Sequence, residues 1–350
     1  MSDGMRVLVT GGTGFVGSHT VAALCRAGHT VRLLVRRPER IAPALEPHGI
    51  SDAVEHVVGD ATDPASVARA LAGCDAVVHA AAVYSLDSRD WARTRRTNVA
   101  ATRVVLGAAV DHGCDPVIHI SSTVATLRSH GTVTPDSPLS TLRGPYIQSK
   151  VESERYARQL QEQGAPVVIV APGAVYGPDD PTLSEMMRQL RDILRGYYPL
   201  WTTGGYHGTD VRDVAAVNVA AMVPGRGPRR YFVPGHHLDG PTLFGSLRSV
   251  TGRRLPALRL PTPMLLPVAW TVSAVQRVVP FHLPAEYEGV LIASRRARCD
   301  TSGTERDLGV TARPLATTMT DAIRWLHRTG HVTTRQAGRA ASAVTQSARA

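Results

Sequence analysis

The chain has 350 residues, 43% of them hydrophobic, and a net charge of +10. This length predicts about two domains, or one large domain with an added lobe, and the apolar content excludes a wholly disordered chain. The arginines are scattered in pairs and only 5% of the residues are aromatic, which argues against a nucleic-acid partner. The four cysteines form no Cys-x-x-Cys pair, so the sequence predicts no metal site and a reduced, cytoplasmic setting.

The chain begins with a strand, a glycine-rich turn, a helix and a second strand. The strands are predicted at 5–10 and 30–35, with the helix at 18–27. In this setting glycines let the backbone approach a pyrophosphate, and the helix N-terminus offers it free N–H groups. The order predicts a dinucleotide site, and a tight turn without a ligand is the alternative. The candidate cofactor-binding residues in this turn are Gly11, Thr13, Gly14, Phe15, Val16 and Gly17.

The end of the second strand indicates which dinucleotide binds. NAD sites place an aspartate or a glutamate there to accept a hydrogen bond from the ribose 2′-hydroxyl, whereas arginine binds the 2′-phosphate of NADP. Here Arg36 and Arg37 follow Val35, and no acid does. We therefore predict NADP(H), with Arg36 as the first candidate and Arg37 as the second. NAD stays open, because an arginine pair after a strand can also be plain solvated surface.

Short apolar strands and helices continue to alternate up to about residue 178. Further strands are predicted at 53–58, 75–79, 116–120 and 165–170, and helices at 63–71, 91–112 and 146–163. This rhythm predicts an α/β fold with a doubly wound parallel Rossmann sheet, whose ligands bind beyond the carboxyl ends of the strands. The residues at those ends that we expect near the cofactor are Asp60, Ala80, Ala81, Pro172 and Val175.

After residue 177 the rhythm changes, which indicates a second unit. We predict a dinucleotide-binding domain at 5–177 with 209–235 returning to it, a smaller C-terminal substrate-binding lobe at 178–208 and 236–330, and a disordered tail at 333–350. The apolar stretch 264–279 is too short for a membrane span, so it predicts a helix that covers an apolar pocket. A peripheral membrane contact of this stretch is the alternative.

One residue type stands apart in the composition. Of the 39 lysine and arginine residues, 38 are arginine and one is Lys150. A lysine kept in so arginine-rich a chain indicates a role for a compact ammonium group whose pKa can shift. Lys150 lies four positions after Tyr146, and residues at i and i+4 share one face of a helix. The phenol and the ammonium group can therefore act on the same substrate.

These residues resemble the extended short-chain dehydrogenase/reductase superfamily, close to its epimerase/dehydratase-like, dihydroflavonol-reductase-like and hydroxysteroid-dehydrogenase-like members. The matches span residues 5–330 and are Thr10-Gly11-x-x-Gly14-x-x-Gly17, Gly59-Asp60, Ser121-Ser122, Tyr146-x-x-x-Lys150 and Val175-Tyr176-Gly177-Pro178. The resemblance implies an NAD(P)-dependent oxidoreductase whose catalytic residues are Ser122, Tyr146 and Lys150, with Thr123 as the alternative to Ser122. It further implies that Tyr146 and Lys150 contact the cofactor, that Asn98 supports the site through its helix, and that helices 91–112 and 146–163 form a homodimer interface.

The implied chemistry follows from the acidities of these groups. Hydride reduction of a carbonyl needs a proton donor at the developing alkoxide, and we expect Tyr146 to be that donor. A neighbouring ammonium group, Lys150, would lower the pKa of the phenol from its usual value of about 10. Ser122 would add a second hydrogen bond to the substrate oxygen, and Lys150 could also hold the nicotinamide ribose.

Two departures from nucleotide-sugar enzymes bear on the substrate. Ala171 and Ala174 stand where many of those enzymes carry arginine and asparagine, and the acid typical of NAD sites is missing. We therefore predict NADP(H)-dependent reduction of a small or apolar ketone or aldehyde, or the reverse reaction. The alternatives are a nucleotide-sugar epimerase or dehydratase, a hydroxysteroid-type dehydrogenase and, outside catalysis, an NADP-binding regulator.

Overall fold

A computed structural model describes residues 4–83, 91–198, 200–276 and 287–342. In chain order the strands are β1 (Arg6–Thr10), β2 (Thr30–Val35), β3 (Val54–Val58), β4 (Ala76–His79), β5 (Val117–Ile120), β6 (Thr132–Val133), β7 (Val167–Ala171), β8 (Ala174–Tyr176), β9 (Leu200–Trp201), β10 (Gly205–Asp210), β11 (Arg229–Phe232), β12 (His236–Asp239), β13 (Leu258–Arg259) and β14 (Arg298–Cys299). The helices are α1 (Phe15–Arg26), α2 (Ile41–Leu45), α3 (Pro64–Leu71), α4 (Trp91–Asp111), α5 (Pro145–Glu162), α6 (Glu185–Arg195), α7 (Val211–Ala220), α8 (Gly240–Thr251), α9 (Thr262–Gln276), α10 (Tyr287–Ala293), α11 (Ser302–Leu308), α12 (Leu315–Arg328), α13 (Thr334–Ala337) and α14 (Arg339–Ser342).

The central sheet of the described residues has seven parallel strands in the order β11-β7-β5-β4-β1-β2-β3. Helices cover both faces, so the inner strands β1, β4, β5 and β7 are almost continuous apolar runs, whereas the edge strands β3 and β11 carry charged residues. In β1, Val7 and Val9 pack with Val21 of α1, whereas Leu8 packs on the other face with Leu106 of α4. The predicted doubly wound α/β sheet is confirmed. Its strand order reverses at β1 and β4, and such a switch point opens a crevice at the carboxyl ends of the strands.

The C-terminal lobe has its own apolar core. β8, β10 and β12 form a three-stranded sheet, and α6 turns Met187, Leu190 and Leu194 inwards at helical spacing. These side chains share a cluster with Phe244 of α8 and Ile323 of α12. Only two residues separate β7 from β8, so the lobe sheet begins beside the carboxyl end of a central strand.

The end of the chain differs from its predicted disorder. Thr333 caps α13: its hydroxyl accepts the N–H of Gln336 at 3.3 Å, and the N–H of Thr333 donates to the Gln336 side chain at 2.9 Å. Ala337 and Ala340 are buried in the lobe core. The prediction of disorder is therefore wrong for residues 333–342. Small apolar side chains are enough to anchor a segment when they pack against a core that other parts of the chain form. Residues 343–350 lie outside the described part.

The predicted apolar helix is present as α9, although the last predicted residues lie outside the described part. It continues through Pro267, buries Leu265 and Ala269, and exposes Met264 and Trp270. No helix in the described ranges is both long and apolar enough to cross a membrane. Peripheral membrane contact through the outer face of α9 stays a prediction.

Candidate active site

The turn between β1 and α1 is closed by backbone contacts that leave no room for side chains. Gly11 has a φ of +74°, and a Cβ there would lie 2.6 Å from the backbone nitrogen of Ala81. A Cβ on Gly17 would collide with the carbonyl group of Gly11. The N–H of Gly14 donates to the carbonyl of Gly11 at 3.0 Å. The turn is therefore held tightly against the end of β4, as its glycine pattern predicts.

The first turn of α1 offers free backbone donors. Its N-cap is Gly14, which supplies no side-chain oxygen, and the first turn contains no acid. Thr13 and Val16 are half-buried beside it, while Phe15 is buried. A helix N-terminus of this kind binds phosphate through its N–H groups and its positive dipole end. The residues present therefore fit the pyrophosphate of a dinucleotide.

We expect Gly17→Ala to destabilise the protein by about 1–3 kcal/mol, the usual cost of overpacking, because its Cβ would overlap the Gly11 carbonyl. Urea unfolding measures this loss. The matched control is Gly245→Ala in α8, where a Cβ would meet nothing within 4 Å. That change should be neutral or stabilising by about 0.5–1 kcal/mol. Equal stabilities of the two variants would contradict this description of the turn.

The two arginines after β2 are both exposed. The Arg36 guanidinium lies 3.9 Å from the Asp60 carboxylate, and an exposed ion pair of this length is weak. The Asp60 carboxylate accepts the N–H and the hydroxyl of Thr62, both at 2.8 Å, and so shapes the turn after β3. Arg36 and Arg37 thus remain available to an anionic ligand, and a contact between Asp60 and the cofactor stays a prediction.

The end of β4 runs beside the glycine turn. The N–H of Ala80 donates to the Thr10 carbonyl at 3.1 Å, and the N–H of Ala81 donates to the Thr10 hydroxyl at 3.3 Å. Asn98 of α4 accepts the N–H of Val83 at 2.7 Å and donates to its carbonyl at 2.9 Å. Asn98 thus fixes the segment that follows β4, and any support that it gives the site passes through that segment.

Ser122 and Tyr146 meet beyond the carboxyl end of β5. Ser122 caps the short 3-10 turn Thr123–Thr126, and Tyr146 is the second residue of α5. Burial raises the pKa of the Tyr146 phenol above its ordinary value, a hydrogen bond with Ser122 opposes this rise, and the charge of Glu288 adds to it. Ser122 therefore faces the phenol, whereas the Thr123 hydroxyl hydrogen-bonds to the Cys299 thiol.

Lys150 lies one turn further along α5 and is 8% exposed. Its Nζ donates to the carbonyl of Ile120, the last residue of β5, at 3.3 Å. Burial lowers the pKa of Lys150 to about 8, and the charge of Glu154 opposes this shift. The shift in the pKa of Tyr146 is caused by burial, Ser122 and Glu288. That Lys150 lowers the pKa of Tyr146 stays a prediction.

Glu154 is a buried carboxylate that the sequence analysis missed. It accepts the Ser121 hydroxyl at 2.5 Å and the Arg158 guanidinium at 2.6 and 2.9 Å. These bonds tie α5 to the end of β5 and place a negative charge one turn from Lys150. The i, i+4 spacing of Lys150, Glu154 and Arg158 is the signal that could have revealed this network.

Two buried histidines of neighbouring strands lie close to Lys150. The rings of His79 in β4 and His119 in β5 stack with their centroids 5.8 Å apart. His79 Nδ1 is 2.8 Å from the Thr10 hydroxyl, so this histidine has the hydrogen-bond partner expected inside a strand. Burial and the Lys150 charge lower the pKa of His79 to about 3, and that of His119 is also lowered. Both rings are therefore neutral at physiological pH.

The loop after β7 reaches the same edge of the sheet. The carbonyl of Pro172 accepts the N–H of Thr123 at 3.0 Å. Val175 of β8 packs, half-buried, against both the sheet core and the lobe core. A Cβ on Gly177 would lie 3.7 Å from the Phe15 ring, which places this loop close to the glycine turn. The predicted site residues on β1, β4, β5, β7, β8 and α5 thus gather at one edge.

The fold and this edge together define a class of protein, a Rossmann-type enzyme that works with a dinucleotide. The sequence profile of the NAD dependent epimerase/dehydratase family matches residues 7–233, well over half of the chain. The chain therefore belongs to the NAD dependent epimerase/dehydratase family, within the extended short-chain dehydrogenase/reductase superfamily. It is an oxidoreductase that uses a pyridine nucleotide, as the motifs predicted.

Relatives and solved structures match almost the whole chain. A provisionally named dihydroflavonol 4-reductase of Synechocystis sp. is 32% identical over 341 residues, which cover 93% of this chain and 96% of the relative. The crystal structure of gox2253 is 30% identical with a TM-score of 0.77 and covers 94% of this chain and 99% of its own. The UDP-glucose-4-epimerase from Stenotrophomonas maltophila, with bound NAD and formylated UDP-arabinopyranose, has a TM-score of 0.73 over 94% of this chain and 100% of its own, and at 21% identity it shows the fold alone.

Proposed function

We propose that the protein is an NADP(H)-dependent oxidoreductase that reduces the carbonyl group of a small, apolar ketone or aldehyde to an alcohol. Ser122, Tyr146 and Lys150 are its catalytic residues. One observation carries the proposal: the Ser122 hydroxyl and the buried Tyr146 phenol are hydrogen-bonded at the ligand edge of the sheet, with the buried Lys150 one turn along the same helix. This is the arrangement that proton transfer to a carbonyl oxygen needs.

The side chains divide the chemistry of reduction between them. When bound, the reduced nicotinamide supplies the hydride. The raised pKa of Tyr146 keeps its phenol protonated at neutral pH, which is the form that can donate a proton to the developing alkoxide. Ser122 can hydrogen-bond to the same substrate oxygen and orient it. The Lys150 ammonium group can hold the ribose hydroxyls of the cofactor and stabilise a phenolate once the proton has left.

The surroundings of the phenol favour an apolar substrate. Tyr146 packs with Val124, and Leu127 and Ile292 lie against this pair. Ala171, which stands in place of the arginine of many nucleotide-sugar enzymes, is buried in an apolar cluster with Phe232. Burying the phosphates of a nucleotide sugar requires cationic or hydrogen-bonding partners, and alanine supplies neither. An apolar ketone or aldehyde therefore fits these surroundings better than a nucleotide sugar does.

The arginines after β2 support NADP(H) as the cofactor. We expect Arg36→Ala to raise the KM for NADPH by about 10–100-fold, because it removes a charge-assisted bond to the 2′-phosphate worth about 1.5–3 kcal/mol. The KM for NADH should not change. Arg40 is also exposed and is the last residue of the 3-10 turn that follows Arg37. Arg40→Ala is therefore the matched control and should leave the KM values for NADPH and NADH unchanged. A wild-type preference for NADH would contradict the cofactor proposal.

Absorbance of the reduced cofactor tests the substrate class. We expect oxidation of NADPH with apolar ketones or aldehydes, presented alongside steroids and nucleotide sugars. Conversion of a nucleotide sugar without net consumption of NADPH would favour the epimerase alternative. Tight NADPH binding without turnover of any of these compounds would favour the regulator.

A further inference from the structure

The solvent-facing side of α9 is apolar along its length. The helix contains no charged residue, and its inner side buries Leu265 and Ala269. The large apolar side chains on its outer side, all exposed, are Met264, Val268, Trp270 and Val275. The exposed Thr271 hydroxyl donates to the carbonyl of Pro267 at 3.1 Å, within the helix itself. A surface helix ordinarily turns charged or polar side chains to water, and α9 departs from that pattern.

The small sheet before α9 adds further apolar surface. β13 ends three positions before α9 begins and pairs with β9, so that Leu258 lies next to Leu200. Of the nine large apolar side chains exposed in the described residues, six lie on β9, β13 and α9. Clustered apolar surface of this kind marks an interaction site. We call this surface the α9 face, and its residues are Leu200, Leu258, Met264, Val268, Trp270 and Val275.

The charges around the α9 face are positive. Residues 240–285 include five arginines and no aspartate or glutamate. Arg259 of β13 is exposed and follows Leu258 directly. Arg295 and Arg296 line a cavity of about 610 Å³ together with the first residues of α9. An apolar surface beside arginines is complementary to a partner that is apolar inside and negatively charged at its surface.

We propose that the α9 face and the arginines beside it dock the protein onto a membrane that contains anionic lipids. The apolar side chains enter the boundary between headgroups and acyl chains, while the arginines pair with lipid phosphates. Trp270 suits this position, because tryptophan is enriched where a membrane meets water. A second copy of the chain is the poorer occupant, since it would bring the same positive charges together.

The inner side of α9 rests on the helix that carries the candidate catalytic residues. Leu266 packs against a cluster that includes Ile147 and Val151 of α5 and Leu291 of α10. A membrane docked on the outer side therefore lies one helix away from α5, where an apolar ketone dissolved in lipid is at hand. The docking itself does not rest on the proposed function, because lipid binding is measured without a substrate.

Sedimentation of the whole chain with lipid vesicles tests the proposal. We expect binding to vesicles of phosphatidylcholine and phosphatidylglycerol in equal parts, and binding at least about tenfold weaker to phosphatidylcholine alone, because each arginine near an anionic surface contributes about fivefold. Rising salt should weaken the binding to the mixed vesicles, since it screens these charges. Equal binding to the two kinds of vesicle, or binding to neither, would overturn the proposal.

Val268→Asp places a charge in the middle of the α9 face. Val268 is 58% exposed, so the protein should keep its thermal unfolding transition. We expect its affinity for the mixed vesicles to fall by about 10–100-fold, the worth of one buried valine side chain. Val223→Asp is the matched control at another exposed valine, beyond the end of α7, and should bind like the wild type. Equal affinities of the two variants would contradict docking through α9.

Quenching of tryptophan fluorescence by brominated acyl chains locates the contact. Trp201 and Trp325 are buried, whereas Trp270 is 65% exposed. We expect brominated mixed vesicles to quench the wild type strongly and Trp270→Phe much less, although this variant keeps an apolar ring and still binds. Equal quenching of the two proteins would overturn the insertion of α9. A dimer that Val268→Asp dissociates, without any vesicle binding, would show that a second copy covers the α9 face instead.

Discussion

Lys150→Arg is expected to lower kcat/KM for carbonyl reduction by about 10²–10⁴-fold, the range that a positioned acid–base system contributes, while the protein stays folded. Lys150 is 8% exposed, and its Nζ fits against the Ile120 carbonyl at 3.3 Å. Arginine retains the positive charge, but its guanidinium is larger, planar and always protonated. The guanidinium cannot take the position of the ammonium group beside Tyr146, so retaining the positive charge should not restore the reaction. Steady-state kinetics with NADPH and an apolar ketone measure the loss.

The control for this variant lies on the same helix. Arg155 is exposed on α5, and Arg155→Lys makes the reverse exchange away from the site. We expect wild-type kinetics from Arg155→Lys and thermal unfolding close to wild type from both variants. Near-wild-type turnover in Lys150→Arg would show that a compact ammonium group is not needed, and the catalytic role given to Lys150 would be wrong.

Tyr146→Phe is expected to abolish reduction to a comparable extent, about 10²–10⁴-fold in kcat. The substitution removes the proton donor and the hydrogen bond with Ser122, yet it keeps the ring that packs with Val124. The free energy of unfolding should fall by only about 0.5–1.5 kcal/mol, the net worth of one hydrogen bond. Cofactor affinity should change little, because the pyrophosphate site at Gly11 is untouched. Rapid-mixing measurements of a single turnover isolate this chemical step.

Tyr156→Phe is the matched loss of a phenolic hydroxyl on the same helix. The Tyr156 ring is half-buried nearly three turns further on, beneath the Arg103 guanidinium at 5.9 Å. Its removal should leave kcat unchanged. Equal kinetics for the two variants would mean that the reacting oxygen receives its proton from another group, and the mechanism proposed for Tyr146 would fall.

The parts of the site that the sequence could predict are those fixed by local spacing. The glycine turn is one, since Gly11 and Gly14 lie between a strand and a helix, and Gly17 lies in the first turn of that helix. The positions of the strand and the helix follow from their apolar patterns. The pair of Tyr146 and Lys150 is another, because four positions on a helix define one face. The carboxyl ends of parallel strands lie at one edge of the sheet, so the position of Tyr146 and Lys150 beside the end of β5 was also predictable.

The parts that could not be predicted depend on contacts between distant segments. Glu288 reaches the start of α5 from 142 positions away, and no periodicity signals such a contact. The direction of the Lys150 ammonium group is set by the carbonyl of Ile120, which spacing along the helix does not reveal. The ordered residues 333–342 were missed for a similar reason, since Ala337 and Ala340 become anchors only against a core built elsewhere in the chain.

In the proposed reaction, hydride from NADPH and a proton from Tyr146 convert a carbonyl to an alcohol at this site. Its most direct test uses NADPH deuterated at the transferring position of the nicotinamide, with mass spectrometry of the product. We predict that the wild type places one deuterium on the carbinol carbon of an apolar ketone product for each NADPH consumed, and that Tyr146→Phe binds NADPH but forms almost no labelled alcohol. Labelled alcohol at the wild-type rate from Tyr146→Phe, or no transfer by the wild type to any carbonyl compound, would contradict the account.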